Sequence, residues 1–278
     1  MNNKAFNIDN RKCIHCGHCI EVCPVKLLKI SSSDNITVFK ENVTTDCIEC
    51  GHCSSVCPTN AISLPGVASD NNSTAQASVD IGFNKLSTFL KSRRSIRTYQ
   101  DKSVEKEKIE QIFDTARYAP SGANTQFVQW QIFSKEEELI DLTKLTIVWM
   151  EQVLSDKTNG LFPPEIAFFQ QCINAWKNNR NIVLRNAPHL VLVHGPKESM
   201  LHIDSTIALD YFELAAASAG LGTCWAGGFY NASTRYQPLI NYLNLPDGHI
   251  CYGAILLGYP KFKYRTIPKR NSSKVICR

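Results

Sequence analysis

The chain has 278 residues, of which 44% are hydrophobic and 20% charged, and its formal net charge is +5. This length allows a small module and one full domain. We find no apolar run of the roughly 18–20 residues that a membrane span needs. The N-terminus has no signal-peptide pattern, and no basic run with interleaved aromatic residues points to nucleic acid. We therefore predict a soluble cytoplasmic protein with neither membrane nor nucleic acid as a partner.

Cysteine is the most informative residue type. Four of the 12 cysteines are scattered, and eight lie in two runs that both begin Cys-Ile-x-Cys-Gly-His-Cys and both end in Cys-Pro. The second run repeats the spacing of the first 34 residues later. The two runs consist of Cys13, Cys16, Cys19 and Cys23, and of Cys47, Cys50, Cys53 and Cys57. Scattered free thiols argue for a reducing compartment rather than a disulfide scaffold.

The doubled run resembles the arrangement by which bacterial-type ferredoxins hold two [4Fe–4S] clusters, in which the fourth cysteine of each run ligates the other cluster. On that pattern one cluster takes Cys13, Cys16, Cys19 and Cys57, and the second takes Cys47, Cys50, Cys53 and Cys23. The alternatives are zinc sites and disulfides. Zinc takes four ligands per site and has no use for a third closely spaced cysteine. We therefore predict an electron-transfer module, with His15, His18 and His52 packing near sulfur rather than binding metal.

The chain has two predicted domains and a linker. Residues 5–66 show a two-fold βαβ pattern with short strands at Phe6–Ile8, Ile36–Phe39 and Ala61–Leu64, and residues 1–66 contain six basic and six acidic residues. Residues 67–80 contain no aromatic residue and no large aliphatic residue apart from valine. This composition is typical of a linker. We predict a cluster domain at 1–66, a linker at 67–80 and a second domain at 81–278.

The second domain opens with a predicted helix, Phe83–Lys91, and then a run containing Arg93, Arg94, Ser95 and Arg97. Clustered guanidinium groups repel one another unless an anion lies among them, and forked arginines suit a phosphate. Taken alone, the run favours a solvated basic turn, because a run of charged residues is usually exposed. A helix at Lys106–Tyr118 then leads into a Pro-Ser-Gly-Ala-Asn-Thr-Gln turn. Its amides suit the edge of a heteroaromatic ring, although turn chemistry alone explains them as well.

The remaining pattern alternates strands and helices. Predicted strands lie at 127–133, 188–194 and 250–257. Predicted helices follow a capping box at Ser134 and Glu137, occupy the aromatic-rich region 146–185, and span the alanine-rich stretch 205–219. We expect the alanine-rich helix to be buried on all sides, in a core or against a partner subunit. The glycine-rich stretch 220–228 follows it without the preceding strand of a dinucleotide-binding fingerprint.

These segments together resemble a known protein class. Residues 81–278 resemble the FMN-dependent nitroreductase family, and residues 1–66 resemble a two-cluster bacterial ferredoxin; proteins that join them in this order are known as ferredoxin-fused nitroreductases. The resemblance implies an α+β fold, with an N-terminal ferredoxin-like cluster module followed by a nitroreductase-type mixed α/β domain. It also implies two [4Fe–4S] clusters, FMN as cofactor, and a homodimer with flavin sites at the interface.

The resemblance also implies which residues contact FMN. The arginine run would bind the phosphate, ribityl chain and pyrimidine edge, and the Pro-Ser turn would reach the flavin from the other subunit. Backbone N–H groups after Gly-Leu-Gly would bond flavin N5 and O4, and a late basic pair would clamp the phosphate. These positions are Arg93, Arg94, Ser95 and Arg97; Pro120, Ser121, Asn124 and Gln126; Trp225, Ala226, Gly227 and Gly228; and Lys269 and Arg270. One departure is Phe127-Val128, where family members usually have Pro-Trp.

A function follows from these cofactors. Iron–sulfur clusters pass single electrons whereas a flavin handles pairs, so one chain carrying both converts a one-electron supply into a two-electron reduction. We expect reduction of nitro-aromatic, quinone-like or related small acceptors, with reduced ferredoxin or NAD(P)H as donor and an anaerobic host. The alternatives are an electron-transfer flavoprotein serving a protein partner, and a flavin reductase or reductive dehalogenase on the same scaffold. No catalytic side chain is predicted, and Cys224 is interpreted as a packing residue.

Overall fold

A computed structural model describes residues 6–67, 81–156, 160–198 and 200–278. The chain divides into two compact units. The first comprises Met1–Asp80 with Ala123–Thr125, and the second comprises Ile81–Gly122 and Gln126–Arg278. All but Val67 of the predicted linker lies outside the described residues, so the linker stays a prediction. No helix within the described ranges is long and apolar enough to cross a membrane.

Within residues 6–67, the first unit contains two small antiparallel sheets and three short helices. Strand β1 (Asn7–Ile8) pairs with β4 (Ile62–Ser63), and β2 (Leu28–Ile30) pairs with β3 (Thr37–Phe39). The helices are α1 (His18–Val22), α2 (Val43–Asp46) and α3 (His52–Ser55). The buried cluster consists of few aliphatic residues together with cysteines. A core this small stabilises a fold only weakly, so bound metal must supply much of the stability.

The sequence repeat is also a structural repeat. Helices α1 and α3 each begin inside a cysteine run, directly after Gly17 and Gly51. These glycines have φ of 77° and 72°, in the left-handed region. Glycine enters that region without the steric cost of a Cβ atom. The Cys-Gly-His-Cys segment therefore turns the chain sharply between the second and third cysteine of each run.

The described residues of the second unit form a four-stranded antiparallel sheet between two layers of helices, with strand order β5-β6-β8-β7. The strands are β5 (Gln129–Phe133), β6 (His189–Pro196), β7 (Gly222–Trp225) and β8 (His249–Gly258). The helices are α4 (Phe83–Ser92), α5 (Lys106–Ala116), α6 (Glu136–Ser155), α7 (Pro163–Lys177), α8 (Leu201–Ser218), α9 (Gly227–Ser233) and α10 (Gln237–Leu243). The strands and helices expected from periodicity are present, with ends that differ by a few residues.

Both faces of this sheet are buried. Leu190 and Leu192 of β6 belong to the cluster that includes α6, α7, α9 and α10, whereas Val191 and Val193 belong to the cluster that includes α5 and α8. Successive side chains of a strand point to opposite faces. The apolar run of β6 is therefore uninterrupted because the side chains on both faces of the strand pack against hydrophobic helices.

One expectation from the sequence is wrong. Ser134 does not cap α6, because the N-cap residue is Lys135 and no side-chain cap bond forms; the Ser134 hydroxyl instead lies 2.8 Å from His189 Nδ1. In the alanine-rich stretch of α8, Tyr211 is exposed within one chain, so burial on all sides requires a partner subunit and stays a prediction. Helix α8 directly precedes the glycine-rich stretch, and β7 lies inside that stretch, so no strand precedes it, as expected.

The C-terminal tail corrects a second expectation. Residues 261–278 are all exposed and contain neither helix nor strand. They hold seven basic residues and no acidic residue, with Phe262 and Tyr264 placed among the first of them. This is the basic run with interleaved aromatics that the composition was taken to lack. The prediction that nucleic acid is not a partner is untested and stays a prediction.

Protonation of His189 is expected to weaken the second unit at low pH. The side chain is 3% exposed, burial lowers its pKa, and Val104 N–H donates to Nε2 at 3.0 Å. A folded-state pKa below the unfolded value means that the unfolded chain binds more protons. The contribution of neutral His189 to the free energy of unfolding is therefore fully present above about pH 6.5. It falls as the pH drops, by at most about 1.4 kcal/mol per pH unit for one proton.

Denaturant unfolding between pH 7 and pH 5, followed by circular dichroism, measures this dependence. His189→Gln keeps an acceptor for Val104 and is expected to flatten the slope. His202→Gln, an exposed histidine-to-glutamine change, is the control and should retain the wild-type slope. Equal slopes in all three proteins would contradict the role of His189.

Candidate cluster cavities and cofactor site

Two cavities in the first unit are lined by cysteines from both runs. The first is lined by Cys13, Cys16, Cys19 and Cys57. The second is lined by Cys47, Cys50, Cys53 and Cys23. Each cavity therefore brings together three cysteines of one run and the last cysteine of the other, which are the two predicted ligand sets. Among the described residues, no three His, Cys, Asp or Glu side chains converge on a point suited to a single metal ion.

Cys23 and Cys57, which line the cavity of the other run, have equivalent surroundings. The N–H of the residue four positions later donates to each sulfur, from Leu27 to Cys23 at 3.3 Å and from Ala61 to Cys57 at 3.2 Å. Thr59 Oγ1 also lies 3.7 Å from Cys57 Sγ. Hydrogen bonds to ligand sulfurs tune the reduction potential of a cluster. These donors were not predicted from the sequence, although the 34-residue repeat implies that they occur in pairs.

Burial and hydrogen bonding shift the thiol pKa values in opposite directions. Burial raises the pKa of Cys53 to about 11 and also raises that of Cys19. Burial acts in the same sense on Cys57, but donors that include Ala61 N–H outweigh it and lower the pKa of that thiol. A thiol with a raised pKa is protonated at neutral pH in the absence of metal. Metal binding at such a site therefore releases protons.

The histidines of the cysteine loops lie at the edges of these sites. His15 Nδ1 is 3.7 Å from Cys13 Sγ, and His52 Nδ1 is 3.3 Å from the carbonyl oxygen of Cys50. His18 begins α1 and is exposed. These positions agree with a packing or hydrogen-bonding role.

In the second unit, the arginine run lies beside β7. Ile96 N–H donates to Thr223 O at 2.7 Å, and Ser95 forms a parallel bridge with Thr223. Two predicted parts of the FMN site, distant in sequence, are therefore adjacent in the fold. Arg97 is exposed, and its Nη1 is 3.4 Å from Ser95 O.

The three arginines differ in their partners. Arg93 Nη1 is 2.7 Å from Glu213 Oε1, in a pair whose side chains are 27% and 6% exposed. Arg94 donates through Nη1 to Arg93 O, but its Nε and Nη2 are buried and have no hydrogen-bond partner. A buried donor without an acceptor is costly. An anionic group placed against Arg94 would remove that cost.

The glycine-rich stretch is divided between β7 and α9. Ala226 N–H donates to Ala254 O at 2.9 Å, so this predicted cofactor donor is already occupied. Gly227 and Gly228 begin α9, where N–H groups have no acceptor within the helix. A Cβ atom on Gly227 would meet nothing within 4 Å, and Trp225 is 41% exposed.

Region 146–185 contributes to the walls around this stretch. A Cβ atom on Gly228 would lie 3.0 Å from Met150 and 3.2 Å from Phe168. Phe169 is buried in the same cluster, whereas Phe162 is exposed. Cys224 is also buried in this cluster, which agrees with its predicted packing role.

The Pro-Ser turn is held by α8. Both oxygens of the buried Asp204 accept from Gly122 N–H, at 3.1 and 3.2 Å, and Ser121 Oγ accepts from Gln126 N–H at 3.1 Å. Pro120, Ser121 and Gln126 line a cavity of about 480 Å³. Asn124 is half-buried in a 3₁₀ turn, Gly122–Asn124. No hydrogen bond among the described residues joins this turn to the arginine run or to the glycine-rich stretch.

The predicted phosphate clamp lies in the C-terminal tail. Lys269 and Arg270 are exposed there, and no ion pair among the described residues includes either side chain. Their contact with phosphate stays a prediction.

The contact between Gly222 and Ile96 provides a test of the junction between the arginine run and β7. A Cβ atom on Gly222 would lie 2.4 Å from Ile96 Cγ1, whereas one on Gly227 would meet nothing within 4 Å. Gly222→Ala is expected to displace Ile96 and destabilise the protein by about 1–3 kcal/mol, the usual cost of overpacking. Gly227→Ala is the matched control and should retain near wild-type stability. Similar unfolding midpoints for the two variants would contradict the close contact.

The fold and the two sites can now be compared with known proteins. Residues 90–259 match the profile of the Nitroreductase family, and residues 12–62 match that of the 4Fe-4S dicluster domain. A protein of Archaeoglobus fulgidus, provisionally named an NADH dehydrogenase/NAD(P)H nitroreductase, is 29% identical over 61% of this chain and 82% of its own length. The FMN reductase [NAD(P)H] of Bacillus subtilis is 27% identical over 64% of this chain and 66% of its own length.

A solved structure shows the same fold. The nitroreductase of Bacteroides fragilis, crystallised with bound FMN, superposes with a TM-score of 0.55 at 21% identity, over 69% of this chain and 100% of its own. Since the Nitroreductase profile spans more than half of the sequence, the chain belongs to the nitroreductase family. The predicted α+β fold, the ferredoxin-type domain and the enzyme class, an FMN-dependent oxidoreductase, are confirmed. The kinds of cofactor are confirmed as well, whereas the number of clusters is not tested.

Proposed function

We propose that this protein takes electrons through two [4Fe–4S] clusters to FMN and reduces nitro-aromatic, quinone-like or related small acceptors. The observation that carries the proposal is the pairing, on one chain, of two four-cysteine cavities with a nitroreductase-family domain. The cavities suit one-electron carriers, and the second domain suits a two-electron carrier.

The residues of the first unit fit iron–sulfur clusters. Four cysteines line each cavity, and the other lining residues are largely apolar. Thiolates in an apolar shell with N–H donors at sulfur are the ligand environment of such clusters. The N–H groups of Leu27 and Ala61 would then tune the reduction potentials of the two clusters. The buried thiols would lose their protons when iron binds.

The residues of the second unit fit FMN. Arg94 has two buried N–H groups without an acceptor, and open space lies against Gly227. When bound there, FMN supplies the exchange between single electrons and electron pairs. Arg94 would hold the phosphate by charge-assisted hydrogen bonds. The free N–H groups at Gly227 and Gly228 would orient the ring and stabilise charge on it, while Trp225 would border the acceptor space.

The acceptor, donor and assembly belong to the proposal as well. We expect a homodimer, because the resemblance places the Pro-Ser turn at the flavin of the other subunit and because α8 exposes Ile203 and Tyr211. The names of two relatives include NAD(P)H, which supports a nicotinamide donor. The cluster cavities support instead a one-electron donor such as reduced ferredoxin. Single-turnover flavin reduction by NADH, with the clusters removed, decides between them: rapid reduction excludes the requirement for a protein donor.

Anaerobic purification, followed by iron, sulfide and flavin analysis and a reductive titration, tests the proposal. We expect about eight irons and one FMN per chain, with clusters and flavin reduced in the same titration. Iron without flavin would overturn the proposed reaction, and flavin without iron would overturn the proposed clusters. Turnover on a panel of nitro-aromatics, quinones, flavins, enones and halogenated compounds would then separate the main proposal from a flavin reductase or a dehalogenase.

A further inference from the structure

The two cluster cavities differ in the polarity of their walls. Two threonine side chains line the first cavity, together with cysteines that include Cys13 and Cys57. Among the residues that the structure describes, no hydroxyl side chain lines the second cavity, whose walls are formed largely by aliphatic and aromatic side chains. The two sites therefore offer the same kind of ligand in different surroundings.

The two threonines lie next to ligand sulfurs. Thr37 is 2% exposed, and its Oγ1 is 3.9 Å from Cys13 Sγ. Thr59 is half-buried, and its Oγ1 is 3.7 Å from Cys57 Sγ. A metal-bound thiolate has no proton and only accepts hydrogen bonds, so each hydroxyl would donate to sulfur once a cluster is bound. The first cluster would then have two hydroxyl donors in addition to Ala61 N–H.

The 34-residue repeat provides a comparison within the same chain. The position equivalent to Thr59 is Val25, which lines the second cavity and has no polar atom in its side chain. The N–H donors of Leu27 and Ala61 are equivalent, so they do not distinguish the two clusters. Valine and threonine have nearly the same shape. The matched positions therefore differ by one hydroxyl group.

Exposed charges add a smaller difference of the same sign. Lys12 precedes the first run, whereas Asp46, 34 residues later, precedes the second, and the second run also contains Glu49 where the first has a histidine. Glu21 in the first run and Lys26 after it act in the opposite sense. All of these side chains are exposed, so solvent and salt screen their effect. The hydroxyl groups at sulfur are therefore the main cause of the difference between the sites.

We infer that the two clusters have unequal reduction potentials and that the cluster at Cys13 and Cys57 has the higher one. A hydrogen bond to a ligand sulfur stabilises the negative charge that reduction adds, and so it raises the potential. The first electron from a low-potential donor therefore reduces this cluster, and a second electron reduces the other. The inference rests on the proposed function, because it requires that both cavities hold [4Fe–4S] clusters.

A reductive titration of anaerobically purified full-length protein, with dithionite as the reductant and low-temperature EPR as the readout, measures both potentials. We expect two reduction steps whose equilibrium constants differ by about tenfold or more, which is about 59 mV for a one-electron couple. Thr59→Val is expected to lower only the higher potential, and Val25→Thr to raise only the lower one. Thr115→Val is the control, since it removes an exposed hydroxyl from α5 in the second domain.

The possible failures give distinct results. A single unresolved step in the wild-type protein, or a change of the lower potential in Thr59→Val, would overturn the inference. If Thr59→Val loses its cluster, Val25→Thr still tests the inference, because Val25 is 41% exposed; an unchanged lower potential in that variant would overturn it. A difference that disappears at high salt would also overturn it, since salt screens exposed charges but not hydrogen bonds at sulfur. Wild-type protein with too little iron for two clusters would instead refute the proposed function.

Discussion

Replacing Cys57 by alanine is expected to halve the iron content of anaerobically purified protein, from about eight to about four atoms per chain. Cys57 lines the cavity of the first cysteine run although it belongs to the second. A cluster with one thiolate removed loses a protein bond that holds it in a small, weakly stabilised unit. Iron and sulfide analysis with EPR of the reduced protein measures the effect. The exposed Cys277 provides the control, and Cys277→Ala should retain all of the iron.

Double variants test whether each cluster takes ligands from both cysteine runs. If Cys57 shares a cluster with Cys16, the change Cys57→Ala combined with Cys16→Ala removes one cluster and leaves about four irons. Cys57→Ala combined with Cys50→Ala removes ligands from both cavities and is expected to leave almost no iron. The reverse pattern would mean that each run holds its own cluster. This would contradict the ligand sets proposed from the two cavities.

Replacing Arg94 by glutamine is expected to weaken FMN binding by about a hundredfold or more. Two buried N–H groups of Arg94 have no acceptor, and charge-assisted hydrogen bonds contribute about 1.5–3 kcal/mol each. The loss should be specific to the phosphate, so riboflavin affinity should change far less. Flavin dissociation constants measured by ultrafiltration of the full chain provide both values.

The matched control for Arg94 is a surface arginine. Arg117 forms an exposed ion pair with Asp114, and Arg117→Gln should leave both affinities unchanged. Equal losses of FMN and riboflavin in Arg94→Gln would contradict a phosphate contact. They would indicate that Arg94 positions the site instead.

The elements that sequence predicted well are those with a strong local pattern. The cysteine spacing repeats at every position, and the apolar run of β6 matches a strand buried on both faces. Helix α5 was predicted from Ile109, Ile112, Phe113 and Ala116; Phe113 is half-buried and the other three are buried. Local periodicity is reliable there because the same residues that form the pattern also form the core.

Sequence-based expectations failed where a residue of a local motif bonds a residue that is distant in the sequence. Ser134 and Glu137 have the spacing of a capping box, but Ser134 is bonded to His189, which lies 55 residues later. Helix α8 is rich in small residues and yet contains the buried Glu213, whose partners are 120 and 10 residues away in sequence. No short window contains such pairs, so a window-based pattern does not detect them.

The sequence alone determined the chemistry of the first domain and the family of the second. Thiolate spacing restricts which metal centre a chain can wrap, and four ordered motifs restrict the cofactor. Only the tertiary structure distinguished the arginines of the run. Arg93 is neutralised by a carboxylate from α8, while Arg94 keeps buried donors without acceptors. The physical reason is that the strength of a charge depends on its burial and on its neighbours, and both are set by residues far away in the chain.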